Sequence, residues 1–509
     1  MRSIVLIAVI LFHGFSISQE QESISQEQTI IENINIVSPH LSGPMHNATV
    51  VITSGKITSI MSPDQVYKHQ PNKQPQTLQR NIIDGEGLYL VPGIMDSHVH
   101  VSSIPGMGFG VEPVAQKHNE LAEAYYQQQP ASFLYHGVTQ VLDPNPGLNW
   151  SRFTETSAHP DFFRCEVVAS KNTFPLVEKN DELSKTMFTY LVDEQAGKNT
   201  ENSPESIVQR IASSGATCIK LYFEDGYGNE SYWPLLSDST LKRIRTAATK
   251  YDLLVLAHAN AVDMYEKAIE YDVDVIAHGL WNWNEFAKEN DVPPQMATIL
   301  DALREKSIGY MPTQRVIAGL GELMLDNSHK TTEFKKVTPK PLLEWYSQPE
   351  AHWFKDDMRQ GFDGLPDEVI ARIFLTGRIN KGEKVMQMLN RKEHPILLGS
   401  DFPGSPSFAN QPGLTTFLEM KAMANAGISL SDILEASTIN NARQFKLQEH
   451  YGTVEEGKVA NLLLLNQNPL ETIEAWNDIN QVILHGDVFE RDSFAADKKG
   501  INGISITDE

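Results

Sequence analysis

A chain of 509 residues, of which 41% are hydrophobic and 21% charged, is long enough for a large domain with a second, smaller one beside it. This composition is typical of a folded, soluble protein rather than of a disordered chain or a membrane protein. The formal net charge of −23 at pH 7 would repel a nucleic-acid duplex, so we expect no nucleic-acid partner.

The first residues have the pattern of a secretory signal peptide. Arg2 precedes the apolar run 4–12, and small residues follow up to Ser18. We therefore predict a signal peptide over 1–18, cleaved after Ser18, and a secreted or periplasmic protein. The alternative is a buried N-terminal helix or strand. The apolar run is too short to span a membrane, which needs about 20 residues. The repeated letters SISQEQ predict a polar tether over 19–28.

The two ends of the remaining chain resemble each other and differ from the middle. Residues 29–90 and 451–509 contain short alternating strands separated by Gly, Asn and Asp, which predicts one small β-sandwich built from both ends. Residues 91–450 alternate apolar strands with helical segments, which predicts an α/β fold with a parallel sheet. At this size a closed (β/α)8 TIM barrel fits better than an open sheet, although local pattern alone leaves both open. A segment at about 319–392, rich in charge, Pro and aromatic residues, predicts a helical insertion over the barrel mouth that could act as a lid.

Two cysteines, Cys165 and Cys218, lie in apolar stretches. They could form one bridge in an oxidising compartment. We expect instead two buried free thiols, because free Cys is among the most frequently buried residue types.

Six polar residues lie at or near the ends of apolar strands in the central region. His98 and His100 are two residues apart, so on a strand both imidazoles point to one face and can reach one metal ion. Taken alone, a His-x-His pair is more often a surface or core feature. The carboxyl ends of all strands meet at one face of a (β/α)8 barrel, however, and further polar residues follow the same rule. These are Lys220, His258, His278 and Asp401.

The order and setting of these residues resemble those of the amidohydrolase superfamily. The resemblance rests on the segments LVPGIMDSHVH, LYHGVTQVLD, AHAN followed by IAHG, STINNARQF and GTVEEGKVANLLLL. The spacing of His258 and His278 is similar to that in the branch of Xaa-Pro dipeptidases, imidazolonepropionase and fungal ochratoxin-hydrolysing enzymes. Two positions depart from the family pattern: Asn461 replaces an Asp, and Ala277 replaces an acidic residue.

The resemblance implies a hydrolase with two divalent metal ions, for which zinc is the expected metal. His98 and His100 would hold one ion, and His258 and His278 the other. Lys220 would carry a carbamate that bridges the two ions; as an ordinary lysine in an ion pair it would leave a site for one metal only. Water activated by the ions would attack a substrate carbonyl, while Asp401 takes the proton and passes it to the leaving nitrogen. If the sequence lacked these histidines, we would interpret Asp401 as a residue at a strand end that caps the following turn.

The substrate is less closely defined by the sequence. Tyr222 follows Lys220 by two residues and could face the same cavity, and Arg315 could bind a carboxylate, although each residue type is more often found in packing or at the surface. We predict cleavage of an amide in a small molecule such as a dipeptide or an N-acyl amino acid. An ester, lactone or phosphotriester is the alternative for the same site, and a non-catalytic binding protein is a third reading. A homo-oligomer is compatible with the sequence.

Overall fold

The computed structural model describes residues 28–66, 80–108, 113–176, 188–198, 200–226, 231–325 and 331–498. The predicted signal peptide and nearly all of the predicted tether lie outside these residues. Across the described ranges, no helix has both the length and the apolar character needed to cross a bilayer.

The described residues form sixteen strands in two sheets. In chain order the strands are β1 (Gln28–Ile36), β2 (Met45–Thr53), β3 (Lys56–Met61), β4 (Arg80–Asp84), β5 (Tyr89–Pro92), β6 (Ile94–Asp96), β7 (Val138–Asp143), β8 (Asp161–Ala169), β9 (Tyr190–Leu191), β10 (Cys218–Tyr222), β11 (Leu254–His258), β12 (Val275–Ala277), β13 (Gly309–Met311), β14 (Leu462–Leu465), β15 (Ile479–Leu484) and β16 (Asp487–Glu490).

The helices lie mainly between the strands of the central region and in the segment that follows β13. The α-helices of the described residues are Pro63–Val66, Pro113–Lys117, Asn119–Tyr135, Pro204–Ser213, Asp238–Lys250, Val262–Glu270, Pro294–Glu305, Gln314–Leu325, Thr332–Val337, Lys340–Tyr346, Trp353–Gly361, Asp367–Arg372, Ile379–Arg391, Leu414–Asn425, Leu430–Ala436 and Ile439–Gln444. A π-helical turn, Ile373–Arg378, joins two of them.

Strands from both chain ends share one sheet, which we call the terminal sheet. Its order is β16-β15-β14-β5-β1-β2-β3, with β4 beside β1. The two ends meet where β14 pairs antiparallel with β5. Buried apolar side chains such as Ile31, Val50 and Leu464 form a core of its own. The chain ends therefore fold together, while their arrangement as a two-layer sandwich stays a prediction.

The second sheet has the order β13-β12-β11-β10-β8-β7-β6, with β9 beside β8. All of its pairings are parallel. The run 396–402 connects the two outer strands: Leu397 N–H donates to Tyr310 O at 2.9 Å, and Ser97 N–H donates to Leu398 O at 3.1 Å. Apart from β8 and β9, which are partly exposed, its strands are apolar and almost wholly buried, as expected for a parallel sheet covered by helices. The core is an α/β, TIM-barrel-like fold.

The prediction of two free thiols is wrong, because Cys165 and Cys218 form a disulfide. The two residues lie directly opposite each other on the parallel neighbours β8 and β10, with a Cα–Cα distance of 4.3 Å. Both belong to a buried apolar cluster of the barrel strands. Their pairing depends on the register between two strands that lie 53 residues apart in sequence, and sequence patterns do not give that register.

The helices between β13 and the run 396–402 contact the loop that follows β6. Tyr346 donates its hydroxyl hydrogen to Pro105 O at 3.0 Å, and the indole of Trp353 donates to Gly106 O at 2.8 Å. The loop follows His100 by a few residues. The segment predicted as an insertion is thus helical and packs near the strand ends, whereas its function as a lid stays a prediction.

Candidate metal centre

The six residues singled out in the sequence all lie at or near the carboxyl ends of barrel strands. His98 and His100 follow β6, and His278 follows β12. Lys220 lies within β10, His258 is the last residue of β11, and Asp401 lies in the run 396–402. This common edge is where active sites of (β/α)8 barrels are found.

Three of these side chains form a tight, buried group. His98, His278 and Asp401 each offer one possible ligand atom, and these atoms lie within 4.8 Å of one another. The Nε2 of His98 is 3.2 Å from Oδ1 of Asp401, and the Nδ1 of His278 is 3.4 Å from its Oδ2. One carboxylate therefore stands between two imidazoles that come from different strands.

Two further imidazoles adjoin this group on either side. The Nε2 of His100 is 3.1 Å from Oδ1 of Asp401. The Nδ1 of His258 is 2.8 Å from Nε2 of His278. Four histidines and one aspartate are thus connected through direct contacts between atoms that can bind metal.

Lys220 is almost fully buried, and its Nζ has no hydrogen-bond partner. Burial lowers the pKa of Lys220 to about 7, although the negative charges of Asp401 and Asp143 oppose this shift. A lysine with a pKa near 7 is neutral in a large fraction of molecules at neutral pH. The neutral amine is the form that can react with carbon dioxide.

The electrostatic state of the histidines fits a cation site. Burial, followed by the nearby positive charges of Lys220 and other histidines, holds the pKa of His98 and of His278 well below the usual value. They are therefore neutral at pH 7, which is the form that binds metal. For His100 burial also disfavours the charge, but hydrogen bonds to Asp143 and Asp401 outweigh it and raise the pKa to about 9. Neutral imidazoles beside a carboxylate are the donor set that divalent zinc prefers.

Comparisons with known proteins agree with this chemistry. Residues 370–489 match the sequence profile of the amidohydrolase family. This matched segment, less than half of the chain, is amidohydrolase-like. The match supports a hydrolase of the class that acts on carbon–nitrogen bonds. No curated protein sequence matches this chain.

Solved structures similar to this chain share its fold along nearly its whole length. A Xaa-Pro dipeptidase with bound methionine has a TM-score of 0.61 at 19% identity, covering 91% of this chain and 100% of its own. Molinate hydrolase has a TM-score of 0.64 at 16% identity, covering 95% and 99%. The ochratoxinase of A. niger has a TM-score of 0.59 at 16% identity, covering 92% and 96%. At these identities the likeness establishes the fold.

A buried aspartate that the sequence reasoning missed connects two strand ends at the candidate metal centre. Oδ1 of Asp96 accepts hydrogen bonds from the backbone N–H of His98 at 3.2 Å and of Ser400 at 2.9 Å. Its Oδ2 accepts the hydroxyl hydrogen of Thr416 at 2.6 Å. Asp96 precedes His98 by two residues, so strand alternation could have placed it on the same face.

Three further residues that the sequence reasoning missed contact ring nitrogens of the proposed histidine ligands. Oδ1 of Asp143, the last residue of β7, is 3.6 Å from Nδ1 of His100. The hydroxyl of Thr313 is 3.0 Å from Nδ1 of His278, and Oε2 of Glu224 is 3.2 Å from Nε2 of His258. Such partners fix the orientation of a ring and raise its ligand strength.

The two predicted substrate contacts occupy different environments. The ring of Tyr222 lies 5.3 Å from the ring of His258, so it adjoins the candidate metal centre. The guanidinium of Arg315 forms a bidentate pair with Glu322, both contacts at 2.6 Å, and also donates to Ala409 O. A substrate carboxylate could bind Arg315 only by replacing Glu322.

Proposed function

We propose that this protein is a metal-dependent amidohydrolase that cleaves a carbon–nitrogen bond of amide type in a small molecule such as a dipeptide or an N-acyl amino acid. The observation that carries the proposal is the buried group of His98, His278 and Asp401, whose ligand atoms lie within 4.8 Å of one another. Each comes from a different strand end, and packing alone gives no reason for buried polar groups to gather there.

We assign the metal ligands by proximity. His98 and His100 would hold one divalent ion, and His258 and His278 a second one. Asp401 contacts three of these imidazoles and would serve both the ligand set and the chemistry. Bound divalent ions polarise a carbonyl group and lower the pKa of water from 15.7 towards about 7.

Lys220 supports the two-ion assignment through its environment. A buried ammonium without an acceptor is strongly disfavoured, and Nζ has no hydrogen-bond partner. Carboxylation would convert this nitrogen into an anionic oxygen donor. The added negative charge, with that of Asp401, would offset part of the charge of two divalent ions beside His98 and His278, whose imidazoles are neutral.

Asp401 is the proposed general base and acid. Its backbone has a φ of +53°, a left-handed conformation that Asp tolerates better than most residues. Both carboxylate oxygens face imidazoles rather than solvent. From this position Asp401 would accept a proton from the attacking water and deliver it to the leaving nitrogen.

Substrate contacts and location complete the proposal. Tyr222 would contact the substrate beside His258. Arg315 would bind a substrate carboxylate, in exchange for its present partner Glu322. We further propose that the mature protein acts outside the cytoplasm, which the disulfide between Cys165 and Cys218 supports, because such bonds persist in oxidising compartments.

The test combines metal analysis with a substrate panel. We expect about two equivalents of divalent metal in the purified protein, and one or fewer in Lys220→Ala. Lys355→Ala, which replaces another buried lysine outside the site, should keep both equivalents.

Dipeptides and N-acyl amino acids should be hydrolysed, and Asp401→Asn should abolish this activity. Turnover of only esters, lactones or phosphotriesters would contradict the proposed bond class, and full amidase activity in Asp401→Asn would contradict the proposed proton transfer.

A further inference from the structure

Three aromatic side chains form a continuous surface beside the candidate metal centre. We call Phe174, Tyr222 and Trp233 the aromatic wall. The ring of Phe174 is stacked on Trp233 at 5.3 Å, with an interplanar angle of 23°, and meets the edge of Tyr222 at 5.4 Å. These distances lie within the range of favourable ring contacts.

The wall adjoins the proposed metal ligands directly. Tyr222 and His258 are register partners at the ends of β10 and β11, and their rings are 5.3 Å apart. The ring of Phe174 is 6.0 Å from that of His258, which in turn contacts His278. A molecule bound over the wall would therefore have its neighbouring atoms at the metal centre.

All three rings of the wall are only half-buried. By contrast, other large aromatic residues of the core, such as Tyr265 and Trp283, are almost fully buried. Keeping several adjacent rings in contact with water forfeits the free energy that their burial would release. Contiguous, partly exposed apolar surface next to convergent polar groups is typical of a ligand-binding site.

Contacts with buried residues hold the wall on its inner side. Lys220 Nζ lies 5.6 Å from the centre of the Tyr222 ring. Behind the wall, Tyr222 packs on a small apolar cluster that contains Val167 and Leu176. The ring of Tyr222 is thus held from behind, which leaves the wall preorganised for a flat ligand group.

We infer that the aromatic wall binds an aromatic or large apolar group attached next to the scissile carbon–nitrogen bond, so that the preferred substrates are N-acyl or dipeptide-like molecules carrying such a group. This inference rests on the proposed function and specifies its substrate class. It predicts weak use of small hydrophilic substrates, because these would leave the wall exposed to water.

The experiment measures binding without turnover. Two non-hydrolysable probes, 3-phenylpropionate and propionate, would be titrated calorimetrically into the metal-loaded protein. We expect 3-phenylpropionate to bind at least about tenfold more tightly than propionate, because ring burial and stacking add to its affinity. Trp233→Ala and Phe174→Leu should each reduce this preference to about threefold or less.

Phe489→Leu is the matched control, because Phe489 is a half-buried ring that packs on Phe494 in the region of the terminal sheet. It should keep the full preference for the phenyl probe. Equal binding of both probes by the unaltered protein, or an unchanged preference in both wall variants, would overturn the inference. A protein that binds the phenyl probe through the wall but hydrolyses no amide would contradict the proposed function and leave the wall assignment standing.

Discussion

Replacement of Asp96 by alanine tests how strongly the site depends on the buried carboxylate that connects its two strand ends. Asp96→Ala removes the acceptor for the backbone N–H groups of His98 and Ser400 and for the hydroxyl of Thr416. Each of the two buried N–H groups left without an acceptor costs about 1–3 kcal/mol, and the hydroxyl bond contributes about 1 kcal/mol. We therefore expect the free energy of unfolding to fall by about 3–7 kcal/mol.

The matched control is Asp96→Asn, which keeps the size of the side chain and an oxygen acceptor for both N–H groups. Its stability should stay within about 1.5 kcal/mol of the unaltered protein. The assays are urea denaturation and calorimetric zinc titration of metal-free protein at pH 8, where the carboxylate is ionised because burial raises the pKa of Asp96 only to about 6.

We expect Asp96→Ala to weaken zinc binding by about 10–100-fold, the usual effect of losing a residue that orients the ligands. An alanine variant that unfolds at the same urea concentration as the unaltered protein, and binds zinc equally well, would refute the reasoning that Asp96 holds the two strand ends in place.

Three further predictions concern the rest of the barrel. Denatured protein should contain no titratable thiol until a reductant is added, and Cys165→Ser should lower the free energy of unfolding by about 2–5 kcal/mol; two free thiols before reduction would contradict the pairing. Burial raises the pKa of Glu419 from 4.5 to about 8, so the folded chain holds this proton more tightly than the unfolded chain does, and this residue's contribution to stability is lost as pH rises through that interval. Glu419→Gln should therefore be more stabilising at pH 8 than at pH 5 in urea denaturation, and an equal effect at both pH values would contradict the assignment. Gly399→Ala would place a methyl carbon against Met311 and 2.9 Å from Cβ of His98, so thermal unfolding should show a loss of about 1–3 kcal/mol; unchanged stability would contradict this packing.

The strand-end rule explains why much of the site could be predicted from the sequence. In a parallel barrel the end of every strand faces the same opening, so His98, His258 and Asp401 could be placed together without knowing any distance. The same reasoning could have included Asp96 and Asp143, which alternate with the chosen residues or end a neighbouring strand.

Features that depend on register or on side-chain partners could not be predicted in this way. The bond between Cys165 and Cys218 requires two particular residues to lie opposite each other on neighbouring strands, which hydrophobic patterns leave open. The pairing of Arg315 with Glu322 is a local choice between partners on one helix. The aromatic wall joins Phe174 and Trp233, which lie outside the strands and have no common sequence pattern.

The most direct test of the central claim is anomalous X-ray scattering from crystals of the zinc-loaded protein, measured above and below the zinc absorption edge. We predict two anomalous peaks bounded by the imidazoles of His98, His100, His258 and His278, with Asp401 and Lys220 beside them. The absence of any anomalous peak among these side chains in fully zinc-loaded crystals would contradict the account.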